Sequence, residues 1–396
     1  MNYKVISADD HVVEPPDVFQ RRLPERLKSK APEIKRFGDV DRWVIGEKVL
    51  AAAGSNKSNI KTVYEKRGTL KPTNYDTCEP GIWLPDARLL DYDSDGKDGA
   101  VLFPDFFPGF TGDPFWSLKF DPELRLECLK AWNDWLMKDF CSVNPERLIP
   151  LCLLPVWDID ESVKELERCA KLGYRGFIFA GVLDIFGYPT FFEPHWDRLW
   201  QAAQDADMVM ALHQQSAQLD RKNEYRPNGW TDEDKKNLPG LALATGIWHL
   251  STNLIPLIDI LSCGMLERFP KLRLMLGESG VGWIPYVIGQ SDFCWEHNLN
   301  NSMGTPRSPL TMYPSQIWKR QCSATFWKER IDDYIIEELG EDNVMWEDDY
   351  PHQPSNNGVH GGSPAYIEYS LQRVTDPRLR QKLLADNVLN WFKIKA

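Results

Sequence analysis

Four side chains suited to binding a metal ion come from three distant parts of the sequence, each at or near the end of an apolar run. Asp9 and His11 end the first run, His213 ends a second, and Asp349 lies near the C-terminus. Side chains two positions apart on a strand point to the same side, so Asp9 and His11 are placed to bind one ion together. His213 and Asp349 are candidates to complete the shell, since imidazoles and carboxylates are common ligands of divalent metals.

The elements that would position these residues alternate between strands and helices. The clearest unit is a strand at 148–155, a helix at 159–172 with Asp158 as its N-cap, and a strand at 176–180. Such alternation predicts a parallel sheet, and the candidate ligands follow strand ends, where (β/α)8 barrels build their sites. A doubly wound sheet also places ligands at strand ends. Closure of a barrel better explains how the first and last strands share one ion, so we predict a (β/α)8 TIM barrel.

Residues from about 37 to 85 interrupt the alternation. They are rich in Gly and Lys and contain short β-like pieces. Such a segment is too short to build a robust core of its own. We therefore expect one barrel domain over residues 1–396, with a small inserted β/loop region near the N-terminus at about 37–85.

The composition argues against some classes of partner. The net charge of −12 is unfavourable for binding nucleic acid or an anionic membrane. No run of about eighteen apolar residues occurs, so no transmembrane helix is expected. The N-terminus lacks the apolar stretch of a signal peptide, and the eight cysteines include no C-x-x-C pair. We expect reduced cysteines and a cytoplasmic protein.

Four short motifs occur in order along nearly the whole chain. They are S-A-D-D-H-V-V-E-P at 7–15, D-Y-D-S-D-G-K-D and V-L-F-P within 91–104, G-M-L-E-R-F-P-K-L-R at 264–273, and W-E-D-D-Y-P-H at 346–352. Together they resemble the amidohydrolase-related family. This is the branch of the amidohydrolase superfamily that includes aminocarboxymuconate-semialdehyde decarboxylase and the resorcylate decarboxylases.

The resemblance implies a metal-binding TIM barrel that acts on a small-molecule substrate. It puts Asp9, His11, His213 and Asp349 in the ligand positions. Members of this family are commonly dimeric or larger, so we expect a homo-oligomer or a hetero-oligomer with a homologous subunit.

Glu278 is a departure from the family pattern. Many decarboxylase members carry a histidine at this position, after the strand that follows the R-F-P motif. A carboxylate is a poorer proton donor than imidazole at neutral pH unless its pKa is raised. It is a better bridging ligand for hard or intermediate metals, so Glu278 weakens the decarboxylase interpretation and admits a second metal ion.

Two histidines have more than one interpretation. His249 precedes a helix predicted from about 255 to 269, which stops before Pro270 of the R-F-P motif. It is a candidate to stabilise developing negative charge or to bind a second ion; the alternative is a helix-packing histidine. His352 is a candidate for the second ion, or it braces a loop and orients Asp349. For proton transfer we expect Asp349 or Glu278 to act as the general base.

The first hypothesis for function is a metal-dependent hydrolase or non-oxidative decarboxylase. One Zn²⁺ or Mn²⁺ ion would polarise a substrate oxygen and lower the pKa of a bound water. The substrate would be a small carbonyl or carboxylate compound, and the sixteen tryptophans favour an aromatic one.

Two other hypotheses use the same barrel. In one, Glu278 ligates a second ion and the protein is a dinuclear Fe or Mn/Fe monooxygenase that hydroxylates an amine or a C–H bond. Its second ion would also take His249 or His352 as a ligand. In the other, the chain is a non-catalytic metal-binding subunit of such an enzyme.

Overall fold

Eleven strands form two separate sheets in the described part of the chain. The computed structural model of the protein describes residues 4–38, 40–49, 74–76, 78–105, 107–109, 111–112, 115–116, 120–214, 247, 252–297, 308–352 and 362–394. In chain order the strands are β1 (Ile6–Val12), β2 (Glu33–Phe37), β3 (Val40–Ile45), β4 (Lys48–Val49), β5 (Gly99–Pro104), β6 (Leu148–Cys152), β7 (Gly176–Ile178), β8 (Val209–His213), β9 (Arg273–Gly277), β10 (Cys322–Phe326) and β11 (Val344–Trp346).

The larger sheet is an eight-stranded parallel barrel. Its order is β1-β5-β6-β7-β8-β9-β10-β11, and every neighbouring pair in this order is parallel. Backbone hydrogen bonds join the two ends of the sheet: His11 N donates to Tyr350 O (2.6 Å), and Asp349 N donates to Asp9 O (2.9 Å). The predicted (β/α)8 TIM barrel is confirmed.

Helices connect the barrel strands. In chain order they are α1 (Val18–Arg22), α2 (Glu25–Lys28), α3 (Pro85–Asp95), α4 (Pro122–Trp135), α5 (Ile159–Leu172), α6 (Asp197–Asp205), α7 (Leu254–Ser262), α8 (Met265–Arg268), α9 (Ile284–Glu296), α10 (Pro314–Gln321), α11 (Asp333–Leu339), α12 (Gly362–Leu371), α13 (Pro377–Gln381) and α14 (Asn387–Phe392). The side chain of Asp158 accepts hydrogen bonds from the first turn of α5, as predicted for an N-cap. None of the helices in these ranges is both long and apolar enough to cross a lipid bilayer. All eight cysteines are unpaired in this structure.

The three-stranded sheet of β2, β3 and β4 supplies the β-structure foreseen near the N-terminus. It is antiparallel and starts at Glu33, slightly before the predicted boundary. Trp43 of β3 is fully buried against Phe19 and Phe107, with ring centroids 5.1 Å and 5.4 Å away, so the sheet packs onto the barrel. Residues 50–73 lie outside the described part, and the single domain with an insertion at about 37–85 stays a prediction.

A buried ionic network supports the junction between β1 and β11. Asp10 points away from its neighbours Asp9 and His11, as the strand period requires, and its Oδ2 lies 3.2 Å from Lys97 Nζ. Lys97 also pairs with Asp348, and all three side chains are fully buried. Burial alone would lower the pKa of Lys97, but the two carboxylates outweigh it and raise the pKa above its usual value.

Lys97→Met is expected to lower the free energy of unfolding by about 3–5 kcal/mol, because it leaves Asp10 and Asp348 as buried charges without their cation. Urea unfolding of the metal-free protein measures the effect. Lys30→Met is the matched control, since Lys30 is exposed and only 3.7 Å from Asp121 in a surface pair; its effect should stay within about 0.5 kcal/mol. Equal shifts in the two variants would refute a stabilising role for the network.

Candidate metal site

The four predicted ligands come together at the C-terminal end of the barrel. His11 Nε2 lies 3.4 Å from Asp9 Oδ1 and 3.3 Å from Asp349 Oδ1. His213 is the last residue of β8, and its Nε2 lies 3.1 Å from His11 Nε2 and 3.4 Å from Asp9 Oδ2. All four side chains are buried. Residues more than three hundred positions apart in sequence therefore present their ligand atoms to one point.

The hydrogen bonds of the two imidazoles determine which nitrogens face that point. His11 Nδ1 lies 3.0 Å from the carbonyl oxygen of Pro104, and His213 Nδ1 lies 2.8 Å from that of Gln214. Because a carbonyl oxygen only accepts, each neutral ring keeps its proton on Nδ1 and presents the Nε2 lone pair to the site. Burial, and to a smaller extent the nearby His11, lowers the pKa of His213 well below its usual value, which favours the neutral form.

The donor set fits a divalent cation. Within the described part of the chain, neither carboxylate oxygen of Asp9 accepts a hydrogen bond, nor does Oδ2 of Asp349. Two imidazole lone pairs and these oxygens face one another, which is repulsive until a cation lies between them. Burial and the charges of Glu347 and Asp349 raise the pKa of Asp9, which shows how unfavourable the cluster is by itself. Asp9, His11 and His213 offer ligand atoms within 4.8 Å of one another, as do His11, Asp349 and His352.

Glu278 lies directly beside these ligands. It follows β9, and its Oε2 is 3.4 Å from His213 Nε2. Glu278 and Asp349 both have a positive φ, 44° and 63°, a backbone conformation that costs a residue other than glycine about 1–3 kcal/mol. Such strain is retained where the surrounding structure enforces it. Here it turns both carboxylates of the strand ends toward one site.

His352 connects Asp349 to a residue that the sequence did not single out. Its Nδ1 lies 2.7 Å from Asp349 Oδ1, and its Nε2 lies 3.4 Å from Asp105 Oδ2. Burial would lower the pKa of His352, but the two carboxylates outweigh it and raise the pKa well above its usual value. His352 is therefore placed to orient Asp349, and its role stays a prediction. Asp105 follows β5 directly, and this place at a strand end was the signal that could have revealed it.

Glu347 and Lys328 are two further site residues that sequence reasoning missed. Glu347 follows β11, and its Oε2 accepts the backbone N–H of Glu278 at 3.0 Å. Burial raises its pKa to about 8. Lys328 lies two residues beyond β10, and burial lowers its pKa to about 7. His249 lies outside the described residues, so its predicted role stays a prediction.

Gly277 leaves the space that Asp9 occupies. It pairs with His213 across β8 and β9, and a Cβ atom at this position would lie 2.6 Å from Asp9 Oδ2. Gly277→Ala is therefore expected to displace Asp9 and to weaken metal binding by about 10-fold or more. Metal titration followed by calorimetry measures this.

Gly289→Ala is the control for Gly277→Ala. Gly289 lies in α9, and an added Cβ meets nothing within 4 Å, so metal affinity should not change and stability should rise by up to about 1 kcal/mol. Metal binding by Gly277→Ala that matches the wild type would show that Asp9 is not held as described.

The barrel, with candidate metal ligands at the ends of its strands, is the arrangement of the amidohydrolase superfamily. The amidohydrolase family model matches residues 123–394, and the chain belongs to this family. The similarity to gamma-resorcylate decarboxylase of Rhizobium sp. (strain MTP-10005) is 22% identity over 279 residues, covering 68% of this chain and 77% of the relative. The 2-amino-3-carboxymuconate-6-semialdehyde decarboxylase of Dictyostelium discoideum is 23% identical, with 79% of this chain and 78% of the relative covered. The branch predicted from the motifs is confirmed.

A solved structure shares the fold. It is 5-carboxyvanillate decarboxylase from Novosphingobium aromaticivorans DSM 12444, in complex with manganese and 4-hydroxy-3-methoxy-5-nitrobenzoic acid. The TM-score is 0.66 at 18% identity, and the alignment covers 99% of this chain and 96% of that one. The similarity therefore extends over the whole barrel.

Proposed function

We propose that the chain is a metal-dependent, non-oxidative decarboxylase of small aromatic carboxylates, and that its ion is Mn²⁺. The observation that carries this proposal is the convergence of Asp9, His11, His213 and Asp349 on one point, with Glu278 beside them. The relatives named decarboxylases support the reaction class, and the manganese in the related structure supports the metal.

Each of these residues has a part in the proposed mechanism. Asp9, His11, His213 and Asp349 would hold the ion, which when bound polarises a substrate oxygen and offsets its negative charge. His352 would orient Asp349 through their 2.7 Å contact. We retain His249 as the residue expected to stabilise negative charge that develops on the substrate.

We assign proton transfer to the ring carbon to Glu278. Decarboxylation adds a proton to the carbon that bears the carboxylate; the C–C bond then breaks, its electron pair returns to the ring, and CO₂ leaves. The other buried carboxylates are engaged, because Asp9 and Asp349 are ligands and Glu347 accepts the N–H of Glu278. Glu278 lies beside the ligand set, 3.4 Å from His213 Nε2, without being one of the four proposed ligands. Its side chain is therefore assigned as the acid, and water would return its proton after each turnover.

A second candidate is the dinuclear Fe or Mn/Fe monooxygenase. One observation favours it: Glu278 and Glu347 add two buried carboxylates beside the ligand set, and such ligands suit Fe and Mn. In that case Glu278 would be a ligand of the second ion rather than a proton donor. Dependence on O₂ separates this candidate from the decarboxylase.

The test is CO₂ release from defined carboxylates without oxygen. The protein is stripped of metal, reloaded with Mn²⁺, Zn²⁺ or Fe²⁺, and incubated under argon with γ-resorcylate or 5-carboxyvanillate. The proposal predicts that Mn²⁺ restores CO₂ release and that the metal-free protein is inactive. Turnover that needs both O₂ and two Fe ions would favour the monooxygenase, and inactivity with every metal and carboxylate would favour a non-catalytic subunit.

A further inference from the structure

Lys328 is a half-buried lysine, and it lies at the same end of the barrel as the metal ligands. It lies on the loop between β10 and α11, two residues past the strand. Its Nζ is buried and forms no hydrogen bond with the described residues, and it lies 3.8 Å from the centroid of the Trp327 ring. An ammonium group has three donors, and burying it without acceptors costs several kcal/mol.

Lys97, which is fully buried, shows how such a charge is compensated where its role is structural. Lys97 pairs with both Asp10 and Asp348, so its charge is compensated inside the protein. Lys328 forms no ion pair within 4.0 Å with any carboxylate in the described ranges. The charges of Asp349, Asp348, Glu278 and Glu347 nevertheless act on it and oppose the lowering of its pKa by burial. Lys328 therefore lies within electrostatic range of the site carboxylates without an ion pair to any of the described ones.

Both sequence neighbours of Lys328 are held by hydrogen bonds. Ser370 donates a hydrogen bond to the carbonyl oxygen of Trp327 at 2.7 Å. Glu329 accepts the N–H of Gly282 at 3.0 Å, which ties this loop to the one that carries Glu278. A donor on a loop held in this way loses less entropy when it binds a ligand than one on a free loop, which favours ligand binding by Lys328.

We propose that Lys328 binds an anionic group of the substrate, and that this group is one the reaction retains. The second part, that the reaction retains this group, rests on the proposed function. An ammonium that held the departing carboxylate would stabilise charge in the ground state that is lost as CO₂ forms, and would slow the reaction. The partner of Lys328 is therefore a second acidic substituent, and the preferred substrates are aromatic dianions.

The experiment compares two probes that differ by one carboxylate. Binding of 4-hydroxyisophthalate and of salicylate to the Mn²⁺-loaded protein is measured by titration calorimetry. Wild type is expected to bind the dianion about 10- to 100-fold more tightly, as for a hydrogen bond to a charged group. Lys328→Met should lose this preference with little change for salicylate, and Lys328→Arg should keep part of it.

Two controls make the outcome specific. Lys319→Met alters an exposed lysine on α10, at the start rather than the end of β10, and should leave both affinities unchanged. Manganese content and the unfolding midpoint of Lys328→Met show whether the site is intact. If Lys328→Met weakens both probes equally, or lowers manganese content without changing their ratio, Lys328 only balances the charge of the carboxylates and the inference is wrong.

Because an active enzyme could turn over either probe, each titration is repeated in the Glu278→Gln background, where turnover is expected to be about 10²- to 10⁴-fold slower. If wild type releases no CO₂ but Lys328 still determines the preference for the dianion, anion recognition stands and the proposed reaction fails. If wild type decarboxylates and the preference is absent, the reaction stands and the inference about Lys328 fails. For an active enzyme, Lys328→Met should also raise KM for a dianionic substrate more than it lowers kcat.

Discussion

His11→Ala is expected to weaken Mn²⁺ binding by more than about 100-fold and to lower kcat/KM for decarboxylation by about 10³-fold or more. His11 belongs to both groups of ligand atoms within 4.8 Å of one another, and among the histidines that the structure describes it is the one shared by the two groups. Its Nε2 lies 3.4 Å from Asp9 Oδ1 and 3.3 Å from Asp349 Oδ1. Removing the ring therefore takes away a ligand at the point where both buried carboxylates converge. Metal content by elemental analysis and CO₂ release measure the two effects.

His297→Ala is the control for His11→Ala. His297 is exposed, stacks on Phe293 at the end of α9, and is not near the ligand set. It should keep the metal content and activity of the wild type. If His11→Ala retains the metal as well as His297→Ala does, the assignment of the ligand set is wrong.

Glu278→Gln is expected to reduce kcat by about 10²- to 10⁴-fold while leaving manganese content near the wild-type value. Glutamine keeps the size of the side chain but holds no transferable proton, so the ring carbon would have to be protonated by water. Because Glu278 is proposed to act on a bound substrate, KM should change little. Steady-state kinetics and metal analysis on the same preparation test this.

Glu278→His gives a chemically independent check of the same residue. It introduces the side chain that many members of the family carry at this position, and imidazole also transfers protons near neutral pH. It should recover part of the activity that Glu278→Gln loses. If Glu278→Gln instead loses manganese in proportion to its activity, Glu278 is a metal ligand, as the dinuclear alternative requires.

The parts of the fold that follow from strand period were predictable. Asp9 and His11 share one face of β1 and Asp10 takes the other, which needs only the alternation of side chains. The helix at 159–172 was equally clear because Asp158 and Gly173 mark its two ends. A helix predicted from about 255 to 269 is instead two, α7 and α8, because Gly264 with φ 75° interrupts it.

The surroundings of the ligands were not predictable to the same degree. Three different strand ends contribute Asp105, Lys328 and Glu347 to the surroundings of the ligands. How close each side chain lies to the ligands depends on strand register and loop conformation. The positive φ values of Glu278 and Asp349 have no signature in sequence, since side chains other than glycine seldom adopt them. A site built from strained loop residues is determined by the tertiary structure that holds them.

The most direct test of the account is the product formed from an aromatic carboxylate in D₂O under argon by the Mn²⁺-loaded protein. We predict one CO₂ for each product molecule and one deuterium at the ring carbon that carried the carboxylate, with no requirement for O₂. A product that has gained an oxygen atom, or a reaction that stops under argon and resumes in air, would contradict it.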